Sequence, residues 1–242
     1  MKKILLTGAG APGGPGIIKA LKLAGHLLVT SDADPHASGR ALHAPFFQIP
    51  RADDAGFTDT ILRLCLEQGI DVVFPLVTME LLRFAGTKEA FRERGIRVIV
   101  SDAESLTIAN DKGKLYQHLQ RQQIPVPPFA IANTVNELID ATTRLGYPYN
   151  PVCIKPTVSN GSRGVRVLQK EIDPFHLLFH QKPSHLFSTL EEITRILAER
   201  DFPPLLVSEY LPGMEFTVDA IVQDGVPKLI LPRSRASSDC WK

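Results

Sequence analysis

The 242-residue sequence predicts an α/β protein, an open parallel sheet followed by an α+β region. Three observations predict it. Short apolar runs alternate with helical periodicity over the first hundred residues, as in strands buried on both faces by crossing helices. A proline cluster, Pro125, Pro127 and Pro128, then fixes an extended connection. Beyond it the pattern changes to strand–loop–strand, with a hairpin signal at Asp224-Gly225.

Lys3 to Thr7 reads as the first strand. Gly8-Ala9-Gly10-Ala11-Pro12-Gly13 follows and matches G-x-G-x-x-G, and a helix runs from Gly16 to Leu23 with Ile17, Ile18 and Leu21 at helical spacing. Leu27 to Thr30 is the second strand and delivers Asp32 and Asp34 roughly 20 residues after the glycines, as a dinucleotide fingerprint asks. Such a turn also serves any doubly wound domain, and Pro12 and Pro15 stiffen it and remove N–H donors. An NAD(P)-dependent oxidoreductase using Gly8, Gly10, Gly13 and Asp32 is therefore the alternative function rather than the first. Phe57 to Gln68 is an amphipathic helix and Asp71 to Pro75 a buried strand. Met79 to Ala85 and Glu89 to Arg94 are helical pieces, and Arg97 to Val100 is a further strand. Their alternation implies right-handed crossovers. Asp32, Asp34, Thr78 and Glu80 fall where an open sheet faces a substrate. Ser101-Asp102 caps a short helix, Ala103 to Ala109.

Asn110-Asp111-Lys112 opens a helix from Gly113 to Gln122, and Val135 to Leu145 forms another, ending at Gly146. Val152-Cys153-Ile154 is an apolar strand ending on Lys155-Pro156, and a second strand begins at Val165. Between them Ser159-Asn160-Gly161-Ser162-Arg163-Gly164 offers hydroxyls, free N–H groups and, with Lys155, two cations, a donor array suited to a polyphosphate. A plain hairpin with a long Gly-containing turn uses the same residues. Ser188 to Arg200 is a helix with Glu191 and Glu192 in its first turn. Leu205 to Ser208, Phe216 to Val222 and Val226 to Pro232 are strands. His176, His180 and His185 have no carboxylate or cysteine partner at zinc-like spacing, and a polar surface is expected there.

A formal charge of +1 with mixed signs argues against a general nucleic-acid or membrane-surface binder. No apolar run approaches the roughly 18–20 residues of a membrane span. Glycines interrupt the amino-terminal apolar run too early for a signal peptide. Cys65, Cys153 and Cys240 have no metal-type spacing, which suggests a reducing cytoplasm and small buried side chains.

Taken in order, these elements resemble the ATP-grasp superfamily, most closely its carbamoyl-phosphate-synthase-like and carboxylate–amine ligase members. The resemblance rests on Asp111-Lys112, Ile124-Pro125-Val126-Pro127, Ile154-Lys155-Pro156, the loop of residues 159–165, Ser208-Glu209-Tyr210-Leu211-Pro212-Gly213, and Glu215 before a strand. It implies a Rossmann-like, pre-ATP-grasp domain at 1–109 and an ATP-grasp domain at 110–242. Within the latter, 110–150 would supply hinge helices, 151–204 the lid and 205–242 the start of the core sheet. It implies ATP as the bound nucleotide. Lys112 and Lys155 would meet its phosphates, and Ser159, Asn160, Gly161, Ser162, Arg163 and Gly164 would close over them. Glu209, Tyr210 and Leu211 would hold the adenine and Glu215 the ribose. The implied chemistry is activation of a small carboxylate or bicarbonate as an acyl phosphate for an amine or ammonia. A non-catalytic nucleotide-binding module is the remaining alternative. Mg²⁺ is implied too, but no Glu-x-Asn or Asp-x-Asn element follows Glu215, so its ligands are expected beyond Lys242. The domain is then truncated with an open sheet edge, and a homodimer or a second chain is the expected partner. Arg233 and Arg235 remain candidate phosphate or substrate contacts.

Overall fold

The apolar run Lys3–Thr7 forms β1, the centre of the first of two units, Met1–Asn110 and Asp111–Lys242. The computed structural model describes residues 1–43, 45–173, 175, 179 and 186–234. In the first unit, β2 (Leu27–Asp32) and β4 (Val72–Pro75) flank β1, with β3 (Phe46–Gln48) and β5 (Arg97–Val98) outside them. The order β3-β2-β1-β4-β5 is parallel throughout. Side chains alternate between the faces of a strand. Leu5, Val29 and Val73 therefore pack with Phe57, Ile61, Phe84 and Phe91 on one side, and Ile4, Leu6 and Leu28 with Ile18 on the other. Helices cover both faces, which is why the strands read as unbroken apolar runs.

α1 (Gly14–Leu23) starts two residues before the expected Gly16, with Pro15 in its first turn, where a missing N–H costs nothing. α2 (Ser38–Leu42) and β3 occupy a stretch where no element is expected. α3 is Phe57–Gln68. α4 (Thr78–Arg92) runs unbroken through Gly86, where two helical pieces are expected, because Phe84, Ala85 and Phe91 anchor it to the core on both sides of the glycine. Residues 99 and 100 lie outside β5. α5 (Ala103–Ala109) is capped by Asp102, whose carboxylate accepts the Ser105 N–H.

The second unit opens with α6 (Lys112–Arg121). Its main sheet has the order β6-β10-β7-β8-β9. The strands are β6 (Phe129–Ala132), β7 (Val152–Pro156), β8 (Arg166–Leu168), β9 (Phe187–Ser188) and β10 (Leu205–Glu209). All neighbours are antiparallel except β8 and β9. α7 (Val135–Arg144) and α8 (Leu190–Leu197) bury Leu138, Ala141 and Ile193 against Val152, Ile154, Leu205 and Val207. β6 and β9 are additions to the sequence expectation, and residue 188 lies in β9 rather than in the helix. β10 pairs with β7, so the change of sheet falls after Glu209 rather than before Leu205.

The next sheet is the hairpin of β11 (Phe216–Gln223) and β12 (Val226–Ser234). Asp224 and Gly225 both take positive φ, +54° and +75°, the requirement of a type I′ turn. Phe216, Val218, Ile221 and Ile230 on it are exposed.

α8 carries a full capping box: Thr189 Oγ1 accepts the Glu192 N–H and the Glu192 carboxylate accepts the Thr189 N–H. Thr189→Ala is expected to cost about 1 kcal/mol. Urea denaturation followed by circular dichroism checks this, and an unchanged midpoint would contradict the cap.

Candidate functional site

Of the sequence-predicted residues of the second unit, Lys112 and Lys155 lie at the foot of the 159–164 loop. Asp111 caps α6, accepting the N–H groups of Gly113 and Lys114, and so fixes Lys112 in the first turn. The Lys112 backbone N–H donates to the Thr157 carbonyl at 2.8 Å. Its ammonium donates to the Ser159 carbonyl at 2.8 Å and to Ser159 Oγ at 3.2 Å. Burial lowers the Lys112 ammonium below the ordinary lysine value, and the nearby charge of Lys155 lowers it further. Lys155, on β7, places its Nζ 5.4 Å from the centroid of the Tyr116 ring. That ring stands edge-on to Phe129 at 5.3 Å. A cation over an aromatic face keeps its charge partly desolvated and its direction fixed.

Two contacts hold this base rigid. Thr157 is buried, and its N–H donates to the Pro204 carbonyl at 2.9 Å. A Cβ on Gly113 would stand 2.9 Å from Ile131 Cδ1 and 3.3 Å from Thr157 Cγ2, so α6 packs closely here and a larger residue would have to push the Ile131 side chain aside. The loop leaves β7 and returns as β8, with Val152 opposite Leu168 and Ile154 opposite Arg166. The antiparallel pair and the donor loop are thus one object. Gly161, Ser162 and Gly164 all have positive φ. Arg163 Nη1 donates to the Asn160 carbonyl at 3.1 Å, folding the guanidinium back onto the loop. A Cβ on Gly164 would meet the Pro156 ring at 2.7 Å, so this position needs glycine for both space and φ.

Glu209 ends β10, and its N–H donates to the Pro128 carbonyl at 3.0 Å. Leu211 is 63% exposed. Tyr210 to Glu215 link the main sheet to the hairpin, with Gly213 at φ +127°. Arg233 is paired with Asp219 across the hairpin, Nη2 to Oδ2 2.7 Å. Thr157 and Tyr116 are the residues of the site that sequence did not single out as ligands. Thr157 acts through its backbone and leaves no side-chain signal. Tyr116 lies one turn after Lys112 on the same helix face, a spacing that could have found it.

In the first unit the glycine turn is filled by its own chain. Gly39 of α2 presses on Ala9, where an added Cβ would lie 2.4 Å from the Ala9 Cβ. Asp32 accepts the Gly10 N–H at 2.8 Å with one oxygen and the Asp34 N–H at 2.9 Å with the other. The carboxylate expected at a ribose therefore ties the turn to β2. Thr7 Oγ1 donates to Glu80, which is 5% exposed. Burial, aided by the charge of Asp32, pushes the Glu80 carboxyl up to about 7, against the pull of the Thr7 bond.

Burial pushes the Cys65 thiol up to about 12, so it stays an inert apolar side chain. His176, His180, His185, Arg235 and Cys240 lie outside the described residues. No described helix is long and apolar enough to cross a membrane.

This architecture has close counterparts. Residues 4–99 match the model of the PylC-like N-terminal domain. The carbamoyl phosphate synthase large chain of Thermomicrobium roseum is 27% identical over 127 residues, 52% of this chain and 10% of that protein. The N5-carboxyaminoimidazole synthetase of Staphylococcus aureus, solved with ADP, superposes with a TM-score of 0.66 at 13% identity, over 98% of this chain and 55% of that one. The biotin carboxylase domain of the Hydrogenobacter thermophilus 2-oxoglutarate carboxylase, solved with MgADP, ADP and bicarbonate, gives 0.59 at 20% identity, over 89% and 45%. The chain spans about half the length of these solved structures. By these matches the chain shares the fold of these enzymes and resembles carbamoyl phosphate synthase over about half its length. The proteins it resembles are ligases, and its first unit is similar to the PylC-like N-terminal domain.

Proposed function

We propose that the chain binds ATP, with the triphosphate against Lys112, Lys155 and the loop of Ser159, Asn160, Gly161, Ser162, Arg163 and Gly164. Adenine lies at Glu209, Tyr210 and Leu211, and the ribose hydroxyls donate to Glu215. The observation that carries this reading is the pair of ammonium groups at the loop's foot, where Lys155 raises the cost of charging a partly buried Lys112. An anion with several charges relieves that repulsion, and fixed cations around it are what a polyphosphate needs.

The reaction is that of a carboxylate–amine ligase. A carboxylate or bicarbonate oxygen attacks the γ-phosphorus, and ADP leaves with the electron pair of the broken P–O bond. An amine or ammonia then attacks the acyl carbon, phosphate departs and the nitrogen loses a proton. The loop excludes water from the acyl phosphate, and the lysines offset the charge on the transferring group. Among the described residues no three His, Cys, Asp or Glu side chains converge as a metal would require. No step here is routed through a metal.

Isothermal titration with ADP and a non-hydrolysable ATP analogue tests the first half, and absence of binding would reject it. A panel of acid and amine pairs scored for ADP formation tests the second. Binding without acid- and amine-dependent turnover would leave a nucleotide-binding module in place of a ligase.

A further inference from the structure

The main sheet of the second unit has a reverse face. Successive side chains of β7 point to opposite sides, so Ile154 faces away from the side that carries Lys155. There, between the sheet and α8, lies a cavity of about 740 Å³. Small-molecule sites run from roughly 300 to 1,000 Å³. Ile154, Phe187, Ile193 and Leu205 give it an apolar lining, and Arg166 and Arg195 stand in its wall.

The charges there cancel only in part: Arg195 lies close enough to Glu192 to help hold its carboxyl below the ordinary range, after the Thr189 N–H and Ser188 hydroxyl, and Arg166 has no acid of the described lining beside it in an ion pair. Neither arginine is in an ion pair among the described residues. Arg166 gives one N–H to the Val165 carbonyl at 2.8 Å. Glu192 is the one acid among the described lining residues, and its carboxylate is engaged by Ser188 Oγ at 2.8 Å and the Thr189 N–H at 3.1 Å. An apolar hollow with two guanidinium groups and one committed carboxylate favours an apolar body carrying a single anionic group, because a guanidinium fork matches a carboxylate. Pro156 and Gly164, the two ends of the glycine loop, also line the cavity. A molecule lodged against that part of the wall reaches both.

We infer that this cavity binds a small organic acid, apolar body against Ile154 and Ile193 and carboxylate on the arginines, and that its occupant braces the glycine loop from behind. The probe is 2-naphthoate, titrated into the whole protein by calorimetry. Saturable binding is expected, weakened about tenfold or more by Arg195→Ala or by Ile196→Trp, which fills the cavity. Both positions are solvent-exposed, so neither change threatens folding. Excess ADP should leave the probe bound, and saturating probe should slow tryptic cleavage after Arg163. No saturable binding, equal affinity in both variants, or displacement by ADP would overturn the site. An unchanged cleavage rate would overturn the bracing.

Discussion

Replacing both Lys112 and Lys155 with alanine should weaken ATP binding by roughly a hundredfold to ten-thousandfold. Each ammonium meeting a phosphate oxygen contributes about 1.5–3 kcal/mol as a charge-assisted hydrogen bond, and about 1.4 kcal/mol is a factor of ten. Each single variant should fall between wild type and the double. The two lysines differ in what else they hold. Lys112 clamps the Ser159 carbonyl and hydroxyl, so Lys112→Ala should also quicken tryptic cleavage after Arg163. Lys155 rests on the Tyr116 ring, and its removal should leave that rate near wild type. Calorimetry at constant ionic strength separates the affinities, since screening alone weakens such contacts. A double variant that binds ATP as wild type does would place the triphosphate elsewhere.

The sequence was most legible where local pattern and tertiary burial agree. β1 and β4 read as strands because both faces are covered, leaving Leu5, Leu6 and Val73 in unbroken apolar company. Asp102 and Asp111 announced their helices because a cap acts within three residues of itself. Legibility failed where an element is short and its partner distant. β6 follows three prolines that suggest only extended chain, and what makes it a strand is Leu205, opposite Ala132 and more than seventy residues on. β3 has three residues between Pro45 and Pro50 and exists because Phe46 lies beside Thr30. At the site, the order of Lys112, Lys155 and the loop was visible. The Thr157 carbonyl that joins them was not, since a backbone group has no letter of its own. Glu80 shows a related failure: a glutamate in the first turn of a helix suggests a solvated charge favourable to the helix dipole, yet α4 turns it inward beside Thr7.

That burial makes the first unit's stability depend on pH in a direction opposite to most carboxylates. The folded Glu80 carboxyl titrates at about 7 against 4.5 in the unfolded chain, so the folded state holds its proton more tightly. Below the unfolded value both states are protonated and nothing is lost. As pH rises from there toward 7 the unfolded chain ionises first, and stability falls by about 1.4 kcal/mol per pH unit. Above the folded value the loss levels off at roughly 3 kcal/mol. Glu80→Gln keeps an oxygen to accept the Thr7 hydroxyl and removes the charge, so it should stabilise the unit by roughly that amount at pH 8 and leave it unchanged at pH 4. Asp32→Asn should recover a smaller part, since the Asp32 charge is the lesser cause of the shift and its carboxylate also ties down Gly10. Hydrogen-exchange protection of the Leu5 and Leu6 amides reports the unit's opening directly, independent of the second unit. Equal protection of wild type and Glu80→Gln at pH 8 would mean that Glu80 reaches water and ionises at no cost to the fold.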